Sequence, residues 1–331
     1  MAVPAGGRRR ALRAAAAGAL AAVAGTLAGG CAAGRAASGA VPPALPPSAA
    51  GPQPAAGPGS PAASGAAGSS NGIARTGETA RRRVGLALGG GAARGFAHVG
   101  VVLALERAGW TVDVVAGTSA GSLVGALYAS GMDGARLRAA ALSFDEQVLG
   151  DWSVGSRSLI AGRALQDLVN RHVGGRPIER FAKPFAAVAT DLYNGRKVVF
   201  RTGDAGLAVR ASSAVPGLFE PVALGGREYV DGGLVSPVPV RTCRELGAQF
   251  VIAVDISAQP QFQETGSMAQ VLLQTFAIMG RSIASHELAE AQLVVRPPIG
   301  DLGSAAFEAR VRAIEEGERA MASALAKLAR P

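Results

Sequence analysis

Residues 84–107 read VGLALGGGAARGFAHVGVVLALER, and this stretch decides the fold. Val84–Leu88 is a short, charge-free apolar run that ends on three glycines, the pattern of a buried strand entering a loop. From Arg94 to Arg107, Phe96, Val99, Leu103 and Glu106 recur at helical spacing and predict a helix. Strand, glycine loop and helix in that order are the first half of a parallel crossover. The alternation continues downstream without internal repeats. Asp113–Ala116 reads as a second strand and Ser119–Ala129 as a second helix. Further strands are expected at Phe185–Ala189, Lys197–Arg201, Tyr229–Val230, Phe250–Asp255 and Leu293–Arg296. Helices are expected at Val240–Leu246, Val271–Glu290 and Ala305–Ala329. The fold class is therefore α/β: a three-layer sandwich with a largely parallel central sheet and helices on both faces. In such sheets the site lies at the carboxyl ends of the strands, where both glycine-rich loops of this chain fall.

The second of those loops, Gly117-Thr118-Ser119-Ala120-Gly121, sits between a strand and a helix and fits the G-x-S-x-G nucleophile elbow. A serine on so sharp a turn requires glycine two residues to either side, because side chains there would collide with neighbouring backbone. The first loop, Gly89-Gly90-Gly91-Ala92-Ala93-Arg94-Gly95, can aim successive amides at the negative oxygen that ester cleavage creates, since no Cβ blocks the approach. Arg94 and the following helix amino terminus add positive potential. A phosphate or dinucleotide loop is the competing reading. It lacks the P-loop lysine, and Asp113 begins the second strand where a ribose-binding acid would end it. Asp231, in Tyr229-Val230-Asp231-Gly232-Gly233, stands at a strand end where a carboxylate can reach a serine hydroxyl; an ordinary Asp-Gly-Gly turn is the bland alternative.

These blocks, with Ala211-Ser212-Ser213-Ala214-Val215-Pro216 between them, stand in the order of the four blocks of the patatin-like phospholipases, which residues 83–296 resemble. Ala189-Thr190-Asp191 with Gly195, and Val238-Pro239-Val240, are smaller matches. The resemblance implies a lipid acyl hydrolase of phospholipase, lysophospholipase or esterase type, with Ser119 as nucleophile and Asp231 as general base. It implies an oxyanion hole from Gly89, Gly90 and Gly91 supported by Arg94, and an Ala211–Pro216 block packed near the site. Ser236-Pro237 departs from the Asn that many relatives carry. Membrane lipids are the implied partners, and neither cofactor nor metal is required. A catalytically silent lipid-binding or scaffolding protein of the same fold is the alternative from another class. A Ser-Asp-His triad is a lesser one: Ser119, Asp231 and His286 follow the α/β-hydrolase order, but His286 falls inside an expected helix rather than on a loop. His98, one turn beyond the glycine loop, reads as a satisfied structural histidine, and His172 has nothing catalytic beside it.

Composition narrows the remaining classes. Of 33 Lys+Arg and 24 Asp+Glu, six and one lie in residues 1–80, so 27 and 23 remain for the rest, and a nucleic-acid partner loses its electrostatic footprint. Two Cys exclude a disulfide framework, and three scattered His argue against a zinc site. Cys243 reads as a small apolar residue on a helix.

The amino terminus reads as an address. Arg8, Arg9, Arg10 and Arg13 precede a charge-free run from Ala14 to Gly30 and then Cys31, the three-part plan of an export signal. The run resembles a bacterial lipoprotein signal with Cys31 as the acylated residue, although Leu27 stands four residues before Cys31 where that pattern places its large aliphatic three before. An ordinary cleaved signal and an uncleaved Ala-rich tail are the other readings. A membrane span would need about 20 strongly apolar residues. Residues 32–72 contain only Arg35, Val41, Leu45, Gln53 and Asn71 besides Ala, Gly, Pro and Ser, the composition of a tether. The expected organisation is thus an export signal over 1–30, a tether over 31–80 and a hydrolase domain over 81–331, attached to the cell envelope or secreted in soluble form.

Overall fold

The structure, a computed structural model, describes residues 81–145, 151, 158–260, 265–303 and 305–328. The expected export signal, Cys31 and the tether lie outside the described residues. Eight strands form one sheet: β1 Val84–Leu88, β2 Val114–Thr118, β3 Phe185–Asp191, β4 Lys197–Phe200, β5 Val222–Leu224, β6 Arg227–Asp231, β7 Phe250–Val254 and β8 Leu293–Val295. The hydrogen-bonded path runs β5-β6-β3-β2-β1-β7-β8, with β4 also paired to β3. The five strands from β3 to β8 along that path are mutually parallel, whereas β3 meets β4 and β6 antiparallel, as does β5 its neighbour β6.

The helices are α1 Phe96–Arg107, α2 Ala120–Ala129, α3 Gly134–Leu142, α4 Arg163–Val173, α5 Ala205–Ser212, α6 Val240–Glu245, α7 Met268–Leu288 and α8 Arg310–Lys327. Every residue of β1, β2 and β3 is buried, as covering a sheet on both faces demands. Successive side chains alternate between the faces. Leu86, Leu88, Val115, Ile252 and Val254 point into a core with Val101, Leu105, Leu127, Val169 and Met321, beneath α1, α2, α4 and α8. Ala87, Val114, Ala116, Val251 and Ala253 point the other way, against Cys243 of α6 and Ala284 and Leu288 of α7. That second face is built from small residues and is tight: a Cβ on Gly85 would lie 2.6 Å from the Cβ of Ala248. Cys243 is fully buried there, its thiol pushed up to about 12 by burial, in keeping with an apolar filler.

The differences from expectation are local. The glycine loop passes through a 3₁₀ turn, Ala92–Gly95, before α1 begins at Phe96, because the loop must first swing across the sheet end. β5 is a three-residue edge strand, too short to carry an alternating pattern, and was not anticipated. The closing helix begins only at Arg310, after a separate 3₁₀ turn at Phe307–Ala309.

Candidate active site

One feature of the sheet creates the site. A strand has two hydrogen-bonding edges. β3 pairs with β4 through Ala187–Thr190, which occupies one edge; β2 pairs with Phe185–Val188 and β6 with Ala189–Asp191, and both overlap β4, so both lie on the opposite edge. β6 therefore takes over the edge of β3 at the residue where β2 leaves it. Thr118 is opposite Val188 and Asp231 is opposite Ala189, so the residue after β2, Ser119, leaves the sheet beside the arriving Asp231.

Ser119 has φ 52° and ψ −124°, a left-handed conformation strained for a residue with a Cβ. Ala92 of the glycine loop, at φ 49°, is its companion: among the described residues these two alone combine a side chain with positive φ, and both border the site. The flanking glycines are sterically required. A Cβ on Gly117 would overlap the carbonyl oxygen of Gly121, and one on Gly121 would overlap that of Leu88. Ser212 of α5 locks the turn from beneath: its hydroxyl accepts from the Ser119 amide at 2.9 Å and donates to the Val188 carbonyl at 2.5 Å. It fills the gap between the ends of β2 and β6. The Ala211–Pro216 block thus sits against the site, and the Ala214 carbonyl also accepts from the Asp231 amide at 2.9 Å.

Asp231 is buried, 7% exposed. Its Oδ1 accepts from the Gly233 amide at 2.7 Å, and its carboxylate interacts with the Ser119 hydroxyl. Burial nonetheless dominates and pushes its pKa up to about 6, with those two contacts pulling the other way. Gly232 is confined as well, since a Cβ there would overlap the Val188 carbonyl. Thr190 closes the underside, donating to the Asp231 carbonyl at 2.8 Å.

The glycine loop lies across the top. A Cβ on Gly90 would come within 3.3 Å of the Ser119 Cβ. Of the three expected oxyanion donors, two are already engaged: the Gly89 amide donates to the Val254 carbonyl and the Gly90 amide to the Pro237 carbonyl, each at 3.0 Å. The Gly91 amide forms no hydrogen bond among the described residues, and the next amides, of Ala92 and Ala93, open the 3₁₀ turn, whose first N–H groups have no acceptor within it. Arg94 staples the loop from behind, Nε donating to the Ile256 carbonyl at 2.9 Å and Nη1 to that of Leu302 at 2.7 Å. Its burial lowers its pKa to about 10, which leaves it charged at neutral pH.

The histidines stand apart from Ser119 and Asp231. His98 is fully buried, with Nε2 2.8 Å from the Gly89 carbonyl and Nδ1 without a partner among the described residues, so it is only half satisfied there; burial lowers its pKa to about 4. His286 is exposed on α7 and His172 on α4. One supporting group escaped the sequence reading. Glu287 of α7 is buried, accepts from the Ser236 hydroxyl at 2.6 Å and the Val238 amide at 3.2 Å, and its pKa is raised by burial. The Ser236 carbonyl in turn accepts from the Thr118 hydroxyl at 2.8 Å, so a chain of hydrogen bonds runs from α7 to the residue before Ser119. The departure at Ser236 was the signal for it.

A strained turn at Ser119, a buried acid beside it and a glycine loop above come together at one end of the sheet of a three-layer α/β fold. Residues 86–244 match the family described as patatin-like phospholipase. A Mycobacterium bovis protein named as an uncharacterized NTE family protein is 31% identical over 280 residues, covering 74% of this chain and 47% of the relative. A protein of Meyerozyma guilliermondii named lysophospholipase NTE1 is 34% identical over 181 residues, covering 53% of this chain and 13% of its own length. The chain therefore spans about half, or less, of the length of these relatives. Among solved structures, VipD from Legionella pneumophila aligns with TM-score 0.50 and 14% identity over 74% of this chain and 67% of its own, which bears on the fold alone.

Proposed function

We propose that the protein is a serine acyl hydrolase that cleaves lipid carboxylic esters through Ser119 and Asp231. The observation that carries this reading is the buried Asp231 carboxylate facing a strained Ser119 hydroxyl with no histidine between them. Asp231 accepts the hydroxyl proton as Ser119 Oγ attacks the ester carbonyl, and the oxygen that becomes negative is met by the amides of Gly91 and Ala92. Collapse expels the alcohol, protonated by Asp231, and leaves an acyl group on Ser119; water, deprotonated by the same carboxylate, releases the fatty acid. An aspartate near its usual pKa is a poor base, so the displacement of Asp231 to about 6 matters: it is stronger as a base yet ionised at neutral pH. The named lysophospholipase relative and the family support lipid esters as the substrate class.

A fluorophosphonate probe tests the reading. It should label the wild type on Ser119, and Ser119→Ala should remain unlabelled. Fatty-acid release from phospholipids, lysophospholipids and short p-nitrophenyl esters then sorts the substrate. A folded wild type that neither reacts with the probe nor hydrolyses any of these leaves the silent lipid-binding alternative.

The location belongs to the same proposal. Arg8–Arg13, the apolar run and Cys31 support export and lipid attachment. Labelled palmitate should mark the wild type and not Cys31→Ser, whose enzyme should be held to membranes less tightly. A wild-type protein that stays cytosolic with Met1 retained and carries no label overturns this assignment.

A further inference from the structure

α7 is divided in two by its contacts. Its second half is seated: Ala284 and Leu288 are buried against the small-residue face of the sheet, and Glu287 is bonded to Ser236. Gly280 marks the boundary, where a Cβ would lie 3.8 Å from the carbonyl oxygen of Gly233, two residues from Asp231. α7 connects β7 to the parallel β8 and therefore runs from the carboxyl ends of the strands back toward their amino ends. Everything before Gly280 consequently lies beyond the carboxyl edge on which the site opens. Met268–Met279 amounts to an arm of about 18 Å.

One face of that arm is apolar and exposed. Met268 is 79% exposed, Val271 48%, Leu272 50%, Ile278 53% and Met279 53%. Their spacing puts them, with Thr275, on one stripe of the helix. From Met268 to His286 the sequence has one charge, Arg281, and no acid. The same end of the sheet projects the β3–β4 turn, in which Leu192 is 42% and Tyr193 93% exposed, with Arg196 exposed beside them. A stripe without acids, with Arg281 beside it and at the same end of the sheet as Ser119 and Asp231, matches the interface of a phospholipid layer, apolar within and anionic at its surface. No helix among the described residues is long and apolar enough to cross a membrane, so this one would lie in the surface.

We propose that the amino-terminal half of α7 is an interfacial arm that dips into the lipid layer and delivers the site to its substrate. This inference rests on the lipid-ester reading above. The test uses the full chain carrying Cys31→Ser, so that acylation cannot hold it to membranes, and vesicles of phosphatidylcholine with phosphatidylglycerol. Val271→Asp with Ile278→Asp should weaken co-sedimentation with the vesicles roughly ten-fold or more, while hydrolysis of a soluble short-chain p-nitrophenyl ester stays within about two-fold, because neither residue is part of the site. Leu272→Cys labelled with an environment-sensitive dye should shift to the blue on adding vesicles; Cys243 is buried away from the label. Unchanged vesicle binding in the double variant, or no spectral shift, overturns the proposal. So does a wild-type dimer that the double variant dissociates, which would assign the stripe to a second copy of the chain. Vesicle binding does not require turnover, so a loss of ester hydrolysis in the wild type would defeat the hydrolase reading while leaving the arm to be judged on its own data.

Discussion

The turn that carries Ser119 and the turn that carries Asp231 meet at the Val188 carbonyl, yet they hold their residues at the site by opposite means. The Ser119 turn is mechanically loaded: positive φ, glycines pressed on backbone at both sides, and a parallel strand beneath. The Asp231 turn is conformationally relaxed, at φ −48° and ψ 134°, and its load is electrostatic, a carboxylate withdrawn from water. One residue carries a conformational cost and the other a desolvation cost. Substitutions should therefore separate the two contributions.

The largest expected effect is on chemistry. Ser119→Ala and Asp231→Asn should each lower ester turnover by roughly 10³-fold or more, because in the proposed mechanism both groups take part in one proton transfer. Initial-rate assays on a short ester check this, with probe labelling retained or lost as the second readout. Next comes the electrostatic load itself. A carboxyl whose folded pKa lies above its unfolded value makes the native state bind more protons, so stability falls as pH rises through about 4 to 6. Asp231→Asn should therefore be more stable than the wild type at pH 7, by up to about 3 kcal/mol, and the gap should close toward pH 4. Chemical denaturation at the two pH values measures it; an equal gap at both would mean that Asp231 is not desolvated. Over the same range, kcat/KM of the wild type should climb with an apparent midpoint near 6 as the base ionises.

Smaller is the mechanical load. Ser119→Gly removes a side chain from a positive-φ position and should stabilise the fold by about 1 kcal/mol while abolishing turnover, a difference that thermal melts against Ser119→Ala would reveal. Gly90→Ala isolates crowding from donation. Its amide is engaged by Pro237, and an added Cβ would press on Ser119 at 3.3 Å, so stability should change little while turnover falls by roughly ten-fold or more. The least effect is expected for His286→Ala, which should keep wild-type turnover; a folded, inactive His286→Ala protein would break the comparison by bringing a third group to the site.

The legibility of these features in the sequence follows the range of the interactions behind them. β1, β2 and β3 are buried on both faces, and such strands announce themselves as unbroken apolar runs. Ser119 and its glycines were readable because a sharp turn imposes its residue types locally. The engagement of the Gly89 and Gly90 amides was not, since their acceptors, Val254 and Pro237, come from β7 and from the loop after β6. Glu287 and the particular bonds of Ser212 were hidden for the same reason: a serine or a glutamate acquires such a role only from what the fold brings opposite it. β5 and β6 flank the site but are short and partly exposed, and only the Tyr229–Val230 core of β6 carried a strand signature.

The shared edge of β3 has a consequence for how the protein comes to life during folding. The spacing of Ser119 and Asp231 is read from one backbone step, Val188 to Ala189, by two strands that arrive from distant parts of the chain and from opposite directions. A slip of β6 by one pleat, two residues, would carry Asp231 about 7 Å along that ruler and out of reach of the serine. No partly assembled sheet holds both groups in register, so an intermediate with its core collapsed but β6 unpaired would be inert. In a refolding experiment, recovered hydrolysis should trail recovered helicity and mark the docking of the last strand pair.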